Sequence, residues 1–265
     1  MLVSPGVRSH VRIRLVEFPI HGDRSDIIAR YLEAVRVEPL PDVAVFPELF
    51  TTGYVLQQLP DLAFEPHEIE GLGIAELASE EGVWIVAGTF PVRTDRGLVN
   101  RLHVFSAEGR IVFRTEKAHL FKQMGEEEVF APGSPDGIVE IQGIPSSAIV
   151  CYDLRFPELS RKLALQGSEL VFVPAQWPAA RTDLFRCLLR ARAAEAQVFY
   201  VGCNLGGEHL GVDFGGGGGV AHPSGKLLEG QDVADGVRDF DIEHGDVRSM
   251  RDKLSCLEDR RPEVY

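Results

Sequence analysis

Glu48, Lys117 and Cys151 are three side chains that together can carry out acyl transfer through a covalent intermediate. A carboxylate can take and return a proton, a thiol can attack a carbonyl carbon, and an ammonium can hold the oxyanion that develops. Taken singly, each has an ordinary use. A cysteine closing an apolar run is most often an inert core thiol. A glutamate after proline is usually a turn residue, and a lysine a solvated surface group. These three differ in standing just past the ends of strand-like runs: 43–46 leads into Pro47-Glu48, 111–115 into Glu116-Lys117, and 147–150 into Cys151. The carboxyl ends of strands are where open α/β sheets hold their ligands. In "SSAIVCYDLRFPEL" (146–159) the thiol also falls where a strand turns into a helix. Free amides around Tyr152 and a nearby Lys cation are therefore expected to lower its pKa.

The elements that must position these groups are readable from periodicity. "VRIRLVEF" (11–18) starts with strand alternation, and "DVAVFPE" (42–48) is a short apolar run. Residues 24–37 space Ile27, Ile28, Tyr31, Leu32 and Val35 as a helix does. "IAELASEEG" (74–82) reads as a helix capped by Gly82, followed by the strand "VWIVAGTF" (83–90). Hairpins are expected over 100–117 and 137–151. A helix over 157–167 has Pro157 near its start and Gly167 at its close, and the strand 169–175 then completes a strand–helix–strand unit. A longer helix, 183–197, is expected to bury Leu184, Cys187, Leu188 and Ala191, with Glu195 as a structural or subunit-contact group on that face. The strand 199–204 follows. Hairpins mixed with helical crossovers indicate an α/β layered domain, and with no internal repeat or linker the chain reads as a single domain over 1–265. The run "GGGGG" (215–219) lacks the residues of a phosphate-binding loop and is expected to be a flexible surface or lid loop.

Composition narrows the classes. A net charge of −13 argues against a nucleic-acid partner, which needs clustered Lys and Arg. No apolar segment approaches the ~20 residues that cross a bilayer, and the N-terminus shows no secretory leader, so no membrane association and a cytoplasmic address are expected. Cys151, Cys187, Cys203 and Cys256 have no C-x-x-C spacing, which speaks for separate reduced thiols and no metal site.

"FPELFTTGY" (46–54), "EKAHLF" (116–121) and "CYDLRFPEL" (151–159) resemble the three signature blocks of the nitrilase (carbon–nitrogen hydrolase) superfamily, in that family's order Glu, Lys, Cys. "PAQWP" (174–178), "LLRARAAEAQVFYVGCN" (188–204), "HPSGKLLEG" (222–230) and "DRRPEVY" (259–265) extend the resemblance over nearly the whole chain. It implies a four-layer α-β-β-α sandwich and no cofactor. It also implies a homodimer or higher homo-oligomer, formed through the segment around the post-cysteine helix and the C-terminal tail. By the same resemblance Glu48 is the general base, Lys117 the catalytic lysine and Cys151 the nucleophile, with the Tyr152 N–H as an oxyanion donor. A second, supporting glutamate best fits Glu126 in "GEEEVFAPG" (125–133), with Glu127 as the alternative register.

The implied reaction is hydrolysis of a linear amide to acid and ammonia. The "CYDLRFPEL" form is similar to the ω-amidase-like branch, whose substrates are small dicarboxylic monoamides such as 2-oxoglutaramate. N-carbamoyl or simple aliphatic amides are the alternative substrates, and a catalytically idle interaction protein is a third reading. Arg155 is placed either on a substrate carboxylate or on Asp153 or Glu158. Trp177 either walls the pocket or packs in the core or an interface. The chain departs from the family pattern at Leu205 (commonly Arg), near Gly218 (commonly Ser) and at Glu17 (often Gln), and the first two flank the pocket in relatives.

Overall fold

The computed structural model describes residues 9–135 and 137–264; the first eight residues of the expected leaderless N-terminus and Tyr265 of the terminal motif lie outside the described residues. Five strands come first: β1 (His10–Val16), β2 (Val43–Val45), β3 (Trp84–Thr94), β4 (Gly97–Phe105) and β5 (Ile111–Glu116). Strands β6 (Val139–Ile141), β7 (Ile144–Ala148), β8 (Leu170–Ala175) and β9 (Phe199–Asn204) belong to a second sheet. A small hairpin, β10 (Glu208–His209) and β11 (Val212–Asp213), precedes β12 (Gly219–Ala221), β13 (Gln231–Ala234) and β14 (Val237–Glu243). The larger sheet has the order β13-β14-β1-β2-β3-β4-β5 and the smaller the order β12-β9-β8-β7-β6. The helices are α1 (Arg24–Val35), the single turn α2 (Leu59–Leu62), α3 (Ile74–Glu81), α4 (Pro157–Leu165), α5 (Thr182–Ala196) and α6 (Gly245–Lys253).

The pleat of the larger sheet sorts its side chains into two cores. Val11, Ile13 and Leu15 of β1, Val43 and Val45 of β2 and Val86 of β3 share one buried cluster with Leu170, Phe172, Val201 and the inner residues of α4 and α5. Ala44, Ile85 and Ala87, one residue out of phase, join the cluster made by α1 and α3. Successive layers are therefore helices, sheet, sheet and helices. This is the four-layer α-β-β-α sandwich, in an α/β fold with mixed sheets.

Most expected elements form where the periodicity put them. Asp23 caps α1 by accepting the Asp26 N–H at 2.9 Å, and Gly82 closes α3 at φ +66°. The strand–helix–strand unit β7-α4-β8 has parallel strands, and β6–β7 is an antiparallel hairpin turning on Gln142-Gly143, both at positive φ. Three expectations change. The strand expected over 83–90 continues through Pro91 to Thr94 and forms its own hairpin with β4. Gly88, at φ +57°, lies in a register shift there and bends the strand.

The buried face of α5 is the stripe one residue further round: Phe185, Leu189, Arg192, Ala193 and Ala196. Leu184 and Cys187 are exposed, because the bulkier Phe185 takes the inward place that Leu184 was expected to hold. Glu195 is not on an apolar face at all; it is exposed and pairs with Arg192 at 2.9 Å. One arginine of β1 lies inside. Arg14 is fully buried, paired with Asp239 at 2.7 Å and donating to the carbonyls of Ala34, Val35, Val37 and Pro39. A buried arginine is tolerable only with its donors satisfied in this way.

Candidate active site

Glu48, Lys117 and Cys151 follow β2, β5 and β7, so two strand ends of the larger sheet and one of the smaller converge on one spot. Two of the three ends are strained. Cys151 has φ +48° and Leu49, directly after Glu48, has φ +44°, a region costly for residues with a side chain. Surrounding hydrogen bonds hold both. The Leu49 N–H donates to Thr89 Oγ1 at 2.8 Å. After Cys151 the chain enters a 3₁₀ turn, Cys151–Arg155, whose far end is pinned by the buried Arg192 donating to the carbonyls of Leu154 (3.0 Å) and Arg155 (3.1 Å). As the second residue of that turn, Tyr152 has an N–H without an acceptor inside it.

The three side chains meet in a buried ionic cluster with two more members. The Lys117 ammonium lies 2.9 Å from Glu48 Oε1, 2.6 Å from Glu126 Oε1 and 2.8 Å from the Tyr54 hydroxyl. Glu48 Oε1 also accepts from Tyr54 OH (2.5 Å) and Asn100 Nδ2 (2.8 Å), so three donors converge on it. Glu48 Oε2 is buried with no hydrogen-bond partner among the described residues. Both oxygens of Glu126 are used, the second accepting the Phe121 N–H at 2.6 Å. Glu126 is fully buried whereas Glu127 is exposed, and it is Glu126 that reaches Lys117.

Burial alone would pull the Lys117 ammonium down, but Glu48, the Cys151 sulfur and Glu126 hold it above its ordinary value. The thiol behaves opposite to expectation. Burial and then Glu48 push Cys151 well above the usual thiol range, and Lys117 and the Gln176 N–H only partly oppose them. Resting Cys151 is therefore held as a neutral thiol beside the Glu48 carboxyl group. The depressed pKa expected from the turn's amides and the cation does not survive desolvation.

A cavity of about 460 Å³ opens above the cluster, lined by Tyr54, Lys117, Cys151, Tyr152, Arg155 and Trp177 among others. Asp153, one of the expected partners of Arg155, is occupied elsewhere. The Arg155 guanidinium instead lies over the Trp177 ring at 4.7 Å and faces the cavity. Trp177 is both wall and packing: it lines the cavity, and its ring meets Phe185 at 5.4 Å. Among the described residues no group of three His, Cys, Asp or Glu side chains could hold a metal ion.

Trp177 is fixed from behind by the glycine run, which is no lid. Asn204 Oδ1 accepts the Trp177 N–H at 2.7 Å, and its Nδ2 donates to the carbonyls of Trp177 and Gly216. Glu17 Oε1 accepts the N–H groups of Asn204 (2.8 Å) and Gly218 (2.9 Å), and its other oxygen pairs with Arg238 at 2.8 Å. Gly215, Gly216 and Gly217 all have positive φ. The run is a pinned strap because its glycines permit that path and a close approach to β9. Gly218→Ala is expected to cost about 1–3 kcal/mol, since the new Cβ would lie 2.2 Å from the Gly202 carbonyl oxygen and 2.5 Å from Glu17 Oε1. Thermal unfolding checks this, and an unchanged midpoint would contradict a pinned strap. Tyr54, Asn100 and Glu17 escaped the sequence reading as site residues; for Tyr54 a signal was present, since it closes the same block as Glu48.

The family model described as carbon-nitrogen hydrolase matches residues 12–252. The 2-oxoglutaramate amidase of Bacillus subtilis is 36% identical over 84% of this chain and 86% of its own length. The omega-amidase YafV of Escherichia coli K12 is 30% identical over 82% of this chain and 84% of that one. Among solved structures, an amidase from Nesterenkonia sp. superposes with a TM-score of 0.82 at 26% identity, covering 98% of this chain and 97% of its own. A variant of the Nesterenkonia sp. AN1 amidase carries the acetamide moiety of fluoroacetamide on its active-site cysteine. A carbon-nitrogen hydrolase from Helicobacter pylori, 20% identical, matches the fold with a TM-score of 0.88 over 97% of both chains. The chain belongs to the carbon-nitrogen hydrolase family, whose members cleave carbon–nitrogen bonds.

Proposed function

We propose that this chain is an ω-amidase, hydrolysing the terminal amide of a small dicarboxylic monoamide such as 2-oxoglutaramate to acid and ammonia. The observation that carries this is Cys151, Glu48 and Lys117 gathered at the floor of a cavity whose wall holds the Arg155 guanidinium. Two relatives at 30% and 36% identity bear the corresponding names.

In the reaction, the unpartnered Glu48 Oε2 takes the Cys151 proton as sulfur attacks the amide carbon. Glu48 Oε1, held by three donors, keeps the carboxylate aimed. The tetrahedral oxyanion is received by Lys117 and the Tyr152 N–H. Glu48 then protonates the departing ammonia, leaving a thioester on Cys151. A water deprotonated by Glu48 attacks the thioester carbon, the C–S bond breaks, and sulfur recovers the proton. Glu126, with both oxygens engaged, fixes Lys117 and balances its charge. Arg155 pairs with the substrate's carboxylate at the far end of the cavity, where the aromatic face of Trp177 keeps it in place.

Ammonia release from 2-oxoglutaramate, N-carbamoyl amino acids and neutral aliphatic amides tests the assignment. A preference for the carboxylate-bearing monoamide is expected, and a preference for neutral amides would overturn it. Arg155→Met should raise KM for 2-oxoglutaramate about 10–100-fold, the worth of a charge-assisted hydrogen bond of about 1.5–3 kcal/mol, and change turnover of a neutral amide little. Equal effects on both would remove Arg155 from the carboxylate. No helix among the described residues is long and apolar enough to cross a membrane, and a cytoplasmic address is part of the same reading. A homodimer, through the α4 region and the C-terminal tail, is proposed with it; Leu165 and Leu254 are exposed apolar side chains in those segments. Light scattering of the purified chain checks the mass.

A further inference from the structure

Asp153, two residues after Cys151, has a fully buried carboxylate on which four donors converge. Its Oδ1 accepts the His119 N–H at 2.8 Å and lies 2.8 Å from His119 Nδ1; its Oδ2 accepts the Val150 N–H at 3.0 Å and reaches the Ala118 N–H at 3.4 Å. Ala118 and His119 directly follow Lys117 at the end of β5, in the larger sheet. Val150 directly precedes Cys151 beyond β7, in the smaller one. One carboxylate thus ties the backbone that carries the ammonium to the backbone that carries the thiol, across the boundary between two sheets that share no strand pairing. His119 completes the tie, its ring stacked on Phe156 at 3.6 Å and 9°.

We propose that Asp153 is a positioning residue that sets the separation of the Lys117 ammonium and the Cys151 thiol. Glu48 and Glu126 hold only the tip of Lys117, at the end of a flexible stem. The Lys117 backbone is held from its own side, its N–H donating to the Asn100 carbonyl at 2.9 Å and its carbonyl accepting the Gly133 N–H at 2.8 Å, so without the Asp153 tie the end of β5 and the strained turn at Cys151 can move relative to one another. The chemistry of the site demands a carboxylate. Val150, Ala118 and His119 present main-chain N–H donors, and an anion offers acceptor oxygens to all of them. An asparagine would have to turn its NH₂ toward either the His119 pair or the Val150–Ala118 pair. Donor would then face donor, and one backbone would be released. Because the oxyanion site lies between sulfur and ammonium, a shift of about 1 Å in their separation costs on the order of 10²-fold in rate. The proposal rests on the reading that Cys151 and Lys117 carry the chemistry.

Asp153→Asn is the decisive variant, measured beside Cys151→Ala and a control, Ser168→Ala. The control removes the buried Ser147–Ser168 hydrogen bond (2.8 Å) in the smaller sheet without touching the tie. With 2-oxoglutaramate, Asp153→Asn should lower kcat by about 10²-fold and leave KM within a few-fold. Alkylation of Cys151 by iodoacetamide should slow with it, because the thiol is displaced from its base. Ser168→Ala should lower the unfolding temperature and leave kcat unchanged. A kcat for Asp153→Asn within a few-fold of the parent, or a loss no greater than the control shows at equal folded fraction, overturns the positioning role. Should Asp153→Asn not fold, His119→Phe decides the matter. It keeps the stack and the main-chain donor and removes only the ring donor, so a several-fold loss of kcat at constant KM is expected and an unchanged kcat overturns the proposal. Turnover by Cys151→Ala would overturn the underlying reading instead; an inactive Cys151→Ala beside a fully active Asp153→Asn overturns only the role of Asp153.

Discussion

Cys151→Ala is expected to release no measurable ammonia from any amide while keeping the parent's fold. In the proposed reaction the sulfur is the nucleophile, and without it no thioester forms. Little stability is at stake, because Cys151 lines an existing cavity and its loss opens no sealed void. Glu48→Gln should lower kcat by about 10²–10⁴-fold, the range general acid–base catalysis supplies, since one carboxylate serves every proton transfer. The raised thiol pKa adds a check that needs no substrate. An unfolded chain ionises its cysteines near pH 8.5, whereas the folded chain holds the Cys151 proton to higher pH. The folded state then binds more protons, so this thiol's contribution to stability is present below about pH 8.5 and is lost as pH rises above it. Cys151→Ala should therefore gain stability relative to the parent between pH 8 and 10, read as the difference in unfolding temperature. Normal turnover by the alanine variant would falsify the thioester route.

Lys117→Met should be the most destabilising single change in the site as well as an inactivating one. It leaves Glu48 and Glu126, both fully buried, without their shared cation. Removing one partner of a buried pair costs about 3–5 kcal/mol, which for a chain of this size is roughly 6–20 °C in unfolding temperature. One carboxylate of the variant must then hold a proton. A carboxylic acid that stays protonated in the folded chain, but ionises near pH 4.3 when unfolded, stabilises at low pH and loses that contribution as pH rises. The deficit of Lys117→Met should accordingly shrink toward pH 5 and grow toward pH 8. Adding Glu126→Gln should recover part of the stability and none of the activity, because the oxyanion would still lack its cation. Retention of the parent's stability and pH dependence would mean that the cluster is not charged as described.

The strand-end residues were legible because a single physical fact, the placement of polar groups past apolar runs, marks them locally. The elements followed from alternation and helix spacing in the same way, whereas the four-layer stacking came from the family resemblance. What was hidden is non-local. Tyr54 and Asn100 are unremarkable in sequence and matter because loop and strand bring them onto Glu48 Oε1. Asp153 looked like a partner for Arg155 but is consumed by four donors from two sheets. The thiol pKa could not be read from the turn, since desolvation and a carboxylate 103 positions earlier decide its sign. The face of α5 was off by one residue because two apolar stripes compete on that helix, and only the packed neighbours choose. The glycine run was misjudged because its composition is that of a flexible loop, while its hydrogen bonds come from Glu17, Asn204 and Arg238.

The strap has a consequence for how such an enzyme can change. Two hydrogen-bonded systems border the cavity. In the proposed reaction one, through Glu48, Lys117, Glu126 and Asp153, governs bond breaking. The other, through Glu17, Asn204 and residues 215–219, governs the position of the Trp177 wall. They touch at Gln176, whose side chain donates to the Glu48 carbonyl at 2.6 Å and whose chain neighbour is Trp177. Substitutions in the second system can reshape what enters while the first stays intact. Glu17, Leu205 and Gly218, the positions where the sequence reading expected a departure from the family pattern, all fall in or beside that second system, which leaves room to exchange one amide for another without rebuilding the chemistry.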